Sequence, residues 1–378
     1  MMQSPGGVQL VEELIRSAHE SAPEQCDVVA LMRSDWRPWP GSEKLNIVSV
    51  APPKGRWFGK RQWYDVLLPK LAKAQKADVL YSMSGIVSAE MCKSSGVVTT
   101  ANNMMPFTQE RLRTYPLTSR TRWRYAVLRH VLVASMKKAD AIVLHSRHAQ
   151  NMIEPHSGDL SSKLFVVLTG VPRDVKVDPA TPPPHPYEKA PYFLYLSAIY
   201  AYKNHVKFIE AYRHALNEEA SLPDLLIAGP KAEEHYFDEI LAAIKQWGLE
   251  SKVKYIGYLD RKDVPAWIYH ADINFFPSLC ETSSLVVVEI LGSGGVLACS
   301  NVPPMPEVAS YAAELFDPYS AETMKPAILK LWRDRRRKEE LRSLAFARAA
   351  ELSWNACGKV IWQAAAKAHA AFIARSKE

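Results

Sequence analysis

Two glutamates eight residues apart, Glu281 and Glu289, sit in the part of the chain best equipped for chemistry. It is the run NFFPSLCETSSLVVVEILGSGGVLACSNVPPMPEVASYAAELFDP, from Asn274 to Pro318. An apolar strand, Ile273 to Phe276, leads through Pro277 and Ser278 into a polar turn holding Glu281. A helix follows that carries Glu289 and stops at Gly292, Gly294 and Gly295; a short strand from Val296 to Cys299 closes the unit. The N–H groups at a helix start have no intrahelical partner and hold phosphate, while a carboxylate a turn or more further in accepts hydrogen bonds from sugar hydroxyls. The pattern suits a nucleotide-activated sugar. The competing reading is bland: Glu281 caps the helix and Glu289 is an exposed helix residue. The Glu-x7-Glu spacing alone carries little, because it arises by chance in most helical proteins. Its setting of strand, turn, helix, glycine run and Pro306-Glu307-Val308 carries the weight.

The elements that must position these groups alternate between strand and helix along the whole chain, which predicts α/β architecture with parallel sheets covered on both faces. Strands are expected at Asp27–Leu31, Leu45–Val50, Asp78–Tyr81, Val97–Ala101, Ala141–Leu144 and Leu164–Leu168 in the first half. The second half offers Tyr192–Leu196, Leu225–Ala228, Val253–Ile256, Ile273–Phe276, Val296–Cys299 and Ala313–Phe316. Between them, the proline-rich stretch from Asp178 to Pro186 can continue neither helix nor central strand. The expected organisation is a first domain over 1–178, a linker over 179–191, a second domain over 192–355, and an Ala-rich helix over about 356–378.

A chain of 378 residues is long for a single core, so two domains are the default. Composition, 48% hydrophobic and 23% charged, is that of a soluble globular protein. No run approaches the roughly 20 apolar residues that span a bilayer. The amino terminus has no apolar h-region, so a cytoplasmic location is expected rather than export. Cys26, Cys92, Cys280, Cys299 and Cys357 are scattered without CxxC spacing, as reduced thiols in a cytoplasm would be. His145 and His148 lack Cys or Asp partners at ligand spacing, so no metal is expected. The net charge of +7 is unevenly shared: up to Ala190 there are 25 Lys and Arg against 17 Asp and Glu, and beyond it 22 against 23. The first half should face an anionic partner.

With Pro277, Ser278, Glu281, Glu289, Gly292–Gly295 and Pro306–Glu307–Val308 in view, the chain resembles the retaining glycosyltransferases of family four. The resemblance is firm over roughly 190–355 and softer before it. It implies the GT-B fold, two Rossmann-like domains facing across a cleft, with the closing helix packed back on the first domain. It also implies that the first strand of the amino-terminal domain is missing, since MMQSPGGVQLVEELIRSA looks like that domain's Gly-rich loop and first helix with no strand before it. A sheet without a central strand would leave edges bare; an incomplete amino terminus or a shortened sheet would each account for this.

In that family Glu289 binds the nucleotide ribose and Glu281 lies by the transferred sugar. Lys203, in LYLSAIYAYKN from Leu194 to Asn204, donates to the diphosphate, a role for a compact point charge. A solvated Lys at a helix start is the bland alternative. The arginine that often supports it is Tyr202 here, or Ala198 by the other common spacing, so leaving-group stabilisation falls to Lys203 and the amides of Ser283, Ser284 and Leu285. Thr282, Ser283 and Ser284 stand where relatives have Gly-Phe-Gly, so the sugar pocket must differ in shape. Gly257, Tyr258 and Gly229 match turns that cup the nucleobase, mostly through main chain; packing turns are the alternative.

On the acceptor or sugar side the resemblance implicates Gly6 and Gly7, then Ser146 and Arg147 after the strand Ala141–Leu144. Asn102 or Asn103 replaces the family's cleft histidine; a structural turn is the alternative. An amide cannot carry a proton through a cycle, so the leaving phosphate would take the acceptor's proton. No cofactor is implied, the nucleotide sugar being a substrate. The expected acceptor is a lipid-linked or polysaccharide glycan in bacterial surface glycan assembly. Two basic-aromatic stretches, Lys54–Tyr64 and Arg111–Arg129, fit an anionic membrane interface on its cytoplasmic face better than nucleic acid, with a solvated helix face and no partner as the alternative. The rivals are a catalytically silent sugar-nucleotide-binding or scaffold protein and a GT-B epimerase, though no acid–base carboxylate pair for the latter stands out.

Overall fold

The computed structural model describes residues 5–36, 41–51, 58–108, 118–175, 177–178, 180–182, 184–187 and 190–377. The chain divides into two compact units, Met1–Leu168 with Trp354–Glu378, and Thr169–Ser353.

The first unit runs α1 (Pro5–Glu20), β1 (Val29–Arg33), β2 (Asn46–Val50), α2 (Phe58–Gln62), a π-helical turn at Trp63–Leu67, α3 (Leu68–Ala74), β3 (Val79–Ser82), α4 (Ala89–Ser94), β4 (Gly96–Thr100), α5 (Arg120–Lys138), β5 (Ala141–Leu144), α6 (Arg147–Ser157) and β6 (Leu164–Val166). β4 and β5 are buried at every position, as parallel strands covered on both faces are. The strands form two parallel sheets, β1–β2 and β3–β4–β5–β6, rather than one. Among the described residues no strand precedes α1, and Gly6 and Gly7 lie in its first turn rather than in a loop.

The second unit runs β7 (Tyr192–Leu196), α7 (His205–Glu218), β8 (Asp224–Ala228), α8 (Glu234–Gln246), β9 (Val253–Gly257), α9 (Val264–His270), β10 (Ile273–Phe276), α10 (Leu285–Gly292), β11 (Leu297–Ser300), α11 (Met305–Ala309), β12 (Glu314–Phe316), α12 (Ala321–Arg333) and α13 (Arg335–Glu351). Its strands make one parallel sheet ordered β12–β11–β10–β7–β8–β9. The chain starts at β7 in the middle, steps out through β8 and β9, returns to β10 and steps out the other way. Strand order therefore reverses between β7 and β10, the doubly wound pattern. The core is aromatic: Phe193 on β7 meets Phe275 on β10 edge-on at 5.2 Å, and Phe208 and Tyr212 of α7 join the same cluster.

The stretch after Leu168, expected as part of the first domain and a linker, belongs to the second unit. The reason is local bonding. Val171 N–H donates to Leu352 C=O at 3.1 Å, Ser293 Oγ to Val175 C=O at 3.2 Å, and the Tyr187 ring packs on Tyr192 at 5.4 Å. After Ser353 the chain enters α14 (Trp354–Arg375), which packs on α1, β4 and β5 of the first unit. Ala364 and Ala368 meet Val98, Ala141 and Val143 there. The approach is so close that a Cβ on Gly96 would lie 2.5 Å from the Ala368 carbonyl oxygen. Trp362 Nε1 donates to Ala18 C=O at 2.7 Å, and Arg375 pairs with Asp140. The Ala-rich composition is what lets a long helix lie this near a sheet.

One buried histidine sits in each unit. His145 follows β5 and His205 opens α7, stacked on Tyr195 at 4.3 Å. Burial pushes His145 down to about 4. Burial, with the Lys203 charge beside it, pushes His205 down to about 3. In the unfolded chain both titrate near 6.5. The stability they contribute is thus fully present above about pH 6.5 and is lost as pH falls through 6.5 toward the folded values. Unfolding free energies from urea titrations should hold between pH 7.5 and 6.5 and then fall toward pH 4.5, by on the order of 2–3 kcal/mol per histidine. His145→Gln should flatten part of that slope.

Candidate functional site

Ligands bind open parallel sheets outside the carboxyl ends of the strands, at the point where strand order reverses. In the second unit that point lies between β7 and β10. After β7 the chain makes a short 3-10 turn, Ala201–Lys203, and Asn204 at φ 70° starts α7. After β10 comes the loop Pro277–Ser284. The two are tied by Leu279 N–H donating to Tyr202 C=O at 2.9 Å. Lys203 and Glu281 therefore flank the switch point, and they meet: Lys203 Nζ donates to Glu281 Oε1.

This pair is largely withdrawn from water, its side chains 9% and 12% exposed. Ser278 Oγ donates to the same Glu281 oxygen at 2.5 Å, and Ser300 Oγ fixes the Ser278 carbonyl at 2.6 Å. Lys203 Nζ also lies 4.8 Å from the Phe276 ring centroid and 5.3 Å from that of Tyr202, the residue standing where an arginine was expected. Tyr195 OH donates to the Lys203 carbonyl from below. Lys203 is not a solvated helix-start lysine; it is 8% exposed.

Glu289 is not an exposed helix residue either. It is 7% exposed, in the second turn of α10. Its Oε1 lies 3.5 Å from Arg261 Nη1, and Arg261 binds Asp174 through two nitrogens, Nη2 to Oδ1 at 2.6 Å. Arg261 comes from the loop after β9 and Asp174 from the stretch before β7. Neither belongs to a recognisable motif, and sequence reasoning missed both; the only signal was a cation four residues past Gly257.

The cap of α10 is Ser284, not Glu281. Ser284 has φ 51°, in the left-handed region, and its Oγ accepts from Val287 N–H at 3.4 Å. The Ser283 hydroxyl is paired with Thr169 Oγ1 at 2.7 Å. The polar Thr-Ser-Ser turn thus has both serine hydroxyls engaged within the fold, at the start of α10. The far end of α10 is held by Arg342, which donates to the Gly294 carbonyl at 2.8 Å.

At the ends of β8 and β9, Gly229 N–H donates to Gly257 C=O at 2.8 Å and Tyr255 OH to Gly229 C=O at 2.7 Å. A Cβ on Gly229 would fall 1.9 Å from the Ser197 carbonyl oxygen, so packing demands glycine there. Tyr258 is 57% exposed beside this turn.

The remaining expected residues lie in the first unit. Asn102 Nδ2 donates to Met83 C=O and its Oδ1 accepts from Thr100 Oγ1, both at 3.3 Å; Asn103 Oδ1 accepts from Met105 N–H at 3.0 Å. Both amides are engaged in shaping the turn after β4. Ser146 is buried and caps α6 by accepting from Ala149 N–H at 3.0 Å, with Arg147 exposed beside it. Among the described residues no group of three or more His, Cys, Asp or Glu could hold a metal ion.

Residues 180–348 match the family described as glycosyl transferases group 1, which bears out a likeness to glycosyltransferases over that stretch. The chain is 29% identical over 168 residues to O-antigen chain mannosyltransferase B of Escherichia coli, covering 44% of this chain and 43% of that protein. The chain thus spans less than half the length of the curated relatives it matches. Among solved structures it is similar to Anabaena HepE in complex with UDP and glucose, with 16% identity, TM-score 0.69 and 96% of each chain covered. It is similar also to WaaG, a glycosyltransferase involved in lipopolysaccharide biosynthesis, with 14% identity, TM-score 0.69 and 93% and 94% coverage. These likenesses show the GT-B fold.

The left-handed cap gives a direct test of how the turn is built. Ser284→Ala removes the cap and keeps the unfavourable φ, and should destabilise by about 1 kcal/mol. Ser284→Gly relieves the backbone while losing the cap, and should change stability by no more than about 0.5 kcal/mol. Denaturant midpoints of the two variants check this.

Proposed function

We propose that this chain, whose residues 180–348 match the group 1 glycosyltransferases, is a retaining hexosyltransferase that moves a sugar from a nucleoside-diphosphate sugar to a hydroxyl acceptor. The observation that carries the reading is the buried Lys203–Glu281 pair at the strand-order reversal, beside a helix start and with Glu289 further along the same helix. A buried ion pair contributes little net stability, so keeping one at the ligand position of a doubly wound sheet points to use. In this reading Lys203 turns to the diphosphate oxygens, aided by the N–H groups of Ser283, Ser284 and Leu285. Glu281 then accepts from hydroxyls of the transferred sugar. Glu289 exchanges Arg261 for the ribose hydroxyls, and the turns at Gly229 and Gly257–Tyr258 receive the base through main chain.

The bond from the anomeric carbon to the phosphate oxygen breaks as the acceptor oxygen bonds to that carbon on the same face. The acceptor's proton passes to the departing phosphate oxygen, so no protein base is needed, and no cofactor. Asn102, Asn103, Gly6, Gly7, Ser146 and Arg147 would serve the acceptor or sugar side. The names of the curated relatives make mannosyl the first donor sugar to test, and a lipid-linked or polysaccharide glycan at the cytoplasmic face of a bacterial membrane the acceptor class.

Nucleotide release from a panel of nucleoside-diphosphate hexoses, with the anomeric configuration of the product read by NMR, tests this. Glu289→Ala should lower kcat/KM by roughly 10- to 100-fold with most of the loss in KM. Lys203→Met paired with Glu281→Gln, which avoids stranding a buried charge, should lower kcat by roughly 100- to 1,000-fold. Binding without turnover in the wild type would replace the proposal with a silent binder; interconversion of the donor sugars would replace it with an epimerase; an inverted product would remove the retaining mechanism.

A further inference from the structure

The basic residues singled out in the first half lie partly outside the described residues, Lys54–Trp57, Arg111 and Arg113 among them. In the second unit, Arg261 stands between two carboxylates of unequal burial. Asp174 faces water, its side chain 49% exposed, and takes the guanidinium through two nitrogens, Nε to Oδ2 and Nη2 to Oδ1 at 2.6 Å. Glu289, its side chain 10% exposed, meets Nη1 at 3.5 Å, the edge of bonding distance. A buried carboxylate is poorly hydrated and draws a cation harder than an exposed one does. The guanidinium nevertheless lies in the fork of the exposed partner. The reason is where the chain puts Asp174. It sits in a turn closed by Val175 N–H donating to Pro172 C=O at 3.4 Å. Val175 is buried, and its carbonyl accepts from Ser293 Oγ. A Cβ on Gly292 would lie 2.7 Å from Val175 Cγ2 and 2.4 Å from Val171 Cγ1. Gly292 is the last residue of α10, the helix that carries Glu289. The turn bearing Asp174 is therefore seated on the end of that helix, and glycine is what lets it sit so near. The backbone of the cation is fixed as well: Asp263 and Val264 N–H donate to Asp260 C=O at 2.9 and 3.2 Å, closing the turn around Arg261 ahead of α9.

We infer that Asp174 is a positioning residue for the donor site: it parks the Arg261 guanidinium beside Glu289, so that this carboxylate stays available to the ribose hydroxyls of a nucleoside diphosphate. The inference rests on the reading of Glu289 as the ribose ligand and adds how its charge is balanced without being blocked. With the Asp174 charge removed, the guanidinium closes on Glu289, and the ribose must then displace a direct ion pair. With the guanidinium removed, the competitor for Glu289 is gone and the Asp174 charge no longer matters to it. The two partners of one ion pair therefore act on nucleotide binding with opposite signs. A brace that merely stabilised the loop would act with one sign from either side. The effect is also confined to ligands that carry ribose hydroxyls, because a sugar without them makes no demand on Glu289.

Titration calorimetry of the full chain with UDP and GDP, each against its 2′,3′-dideoxy analogue, at about pH 8 where carboxylates are ionised, tests this. Asp174→Asn should weaken binding of the ribose form about three- to fivefold, the range an exposed pair allows, and leave the dideoxy form unchanged. Asp174→Glu, which keeps the charge, should bind like the wild type. Arg261→Met should bind the ribose form about twofold more tightly, and the double variant should match Arg261→Met alone. Both positions are exposed, so the variants should fold, with melting temperatures within about 4 °C of the wild type. Equal weakening by Asp174→Asn and Arg261→Met would make the pair a structural brace and overturn the inference. So would an Asp174→Asn loss as large for the dideoxy form as for the ribose form. In either case a Glu289→Gln variant that loses the preference for ribose leaves the reading of Glu289 standing. No nucleotide binding, or a ribose preference unchanged in Glu289→Gln, overturns that reading and the inference with it.

Discussion

The buried contact between Lys203 and Glu281 is the constraint around which the second unit is organised. Two charges taken out of water are costly unless both are held in good geometry. Here the carboxylate is held by Ser278, whose carbonyl is fixed by Ser300, and the lysine by the Tyr195 contact and the ring of Phe276. Three of these supports come from strand ends: Tyr195 from β7, Phe276 from β10 and Ser300 from β11, while Ser278 lies in the loop after β10. The pairing of those strands in a parallel sheet is thus what holds the charge pair in place, and the reversal of strand order between β7 and β10 puts it at the switch point of the sheet.

Around that pair the site departs from a glycine-rich turn in a way the backbone explains. A left-handed residue is needed where the loop enters α10, and glycine is the usual solution. This chain uses Ser284 and offsets the strain with a cap to Val287 N–H. Ser283 is fixed to Thr169, far upstream in sequence. The turn is consequently polar in composition but has its serine hydroxyls internally occupied. At the second departure, Tyr202 in place of an arginine, the Tyr202 ring lies 5.3 Å from Lys203 Nζ.

In the first unit the same principles give a looser sheet. Among the described residues β1 pairs only with β2, and β3 begins a separate ladder. α14 covers β4 and β5 with small side chains, which makes the last helix part of the first unit's core even though it follows the second unit in sequence.

Strand and helix positions were legible from sequence because they depend on patterns within a few residues: apolar runs, helical spacing and proline or glycine breaks. Ala141–Leu144, Tyr192–Leu196 and Ile273–Phe276 appear as expected, and the other strands shift by no more than two residues at their starts. The motif residues Glu281, Glu289 and Lys203 were legible for the same reason, each lying in a short local pattern. Tertiary structure alone decided what those residues touch. Lys203 and Glu281 are 78 residues apart, Arg261 and Glu289 28, and Arg261 and Asp174 87. No local pattern encodes such contacts, because they follow from which strand ends the sheet brings side by side. The same holds for the stretch after Leu168, where prolines signalled a break in regular structure but only hydrogen bonds to Leu352 and Ser293 assigned it to the second unit.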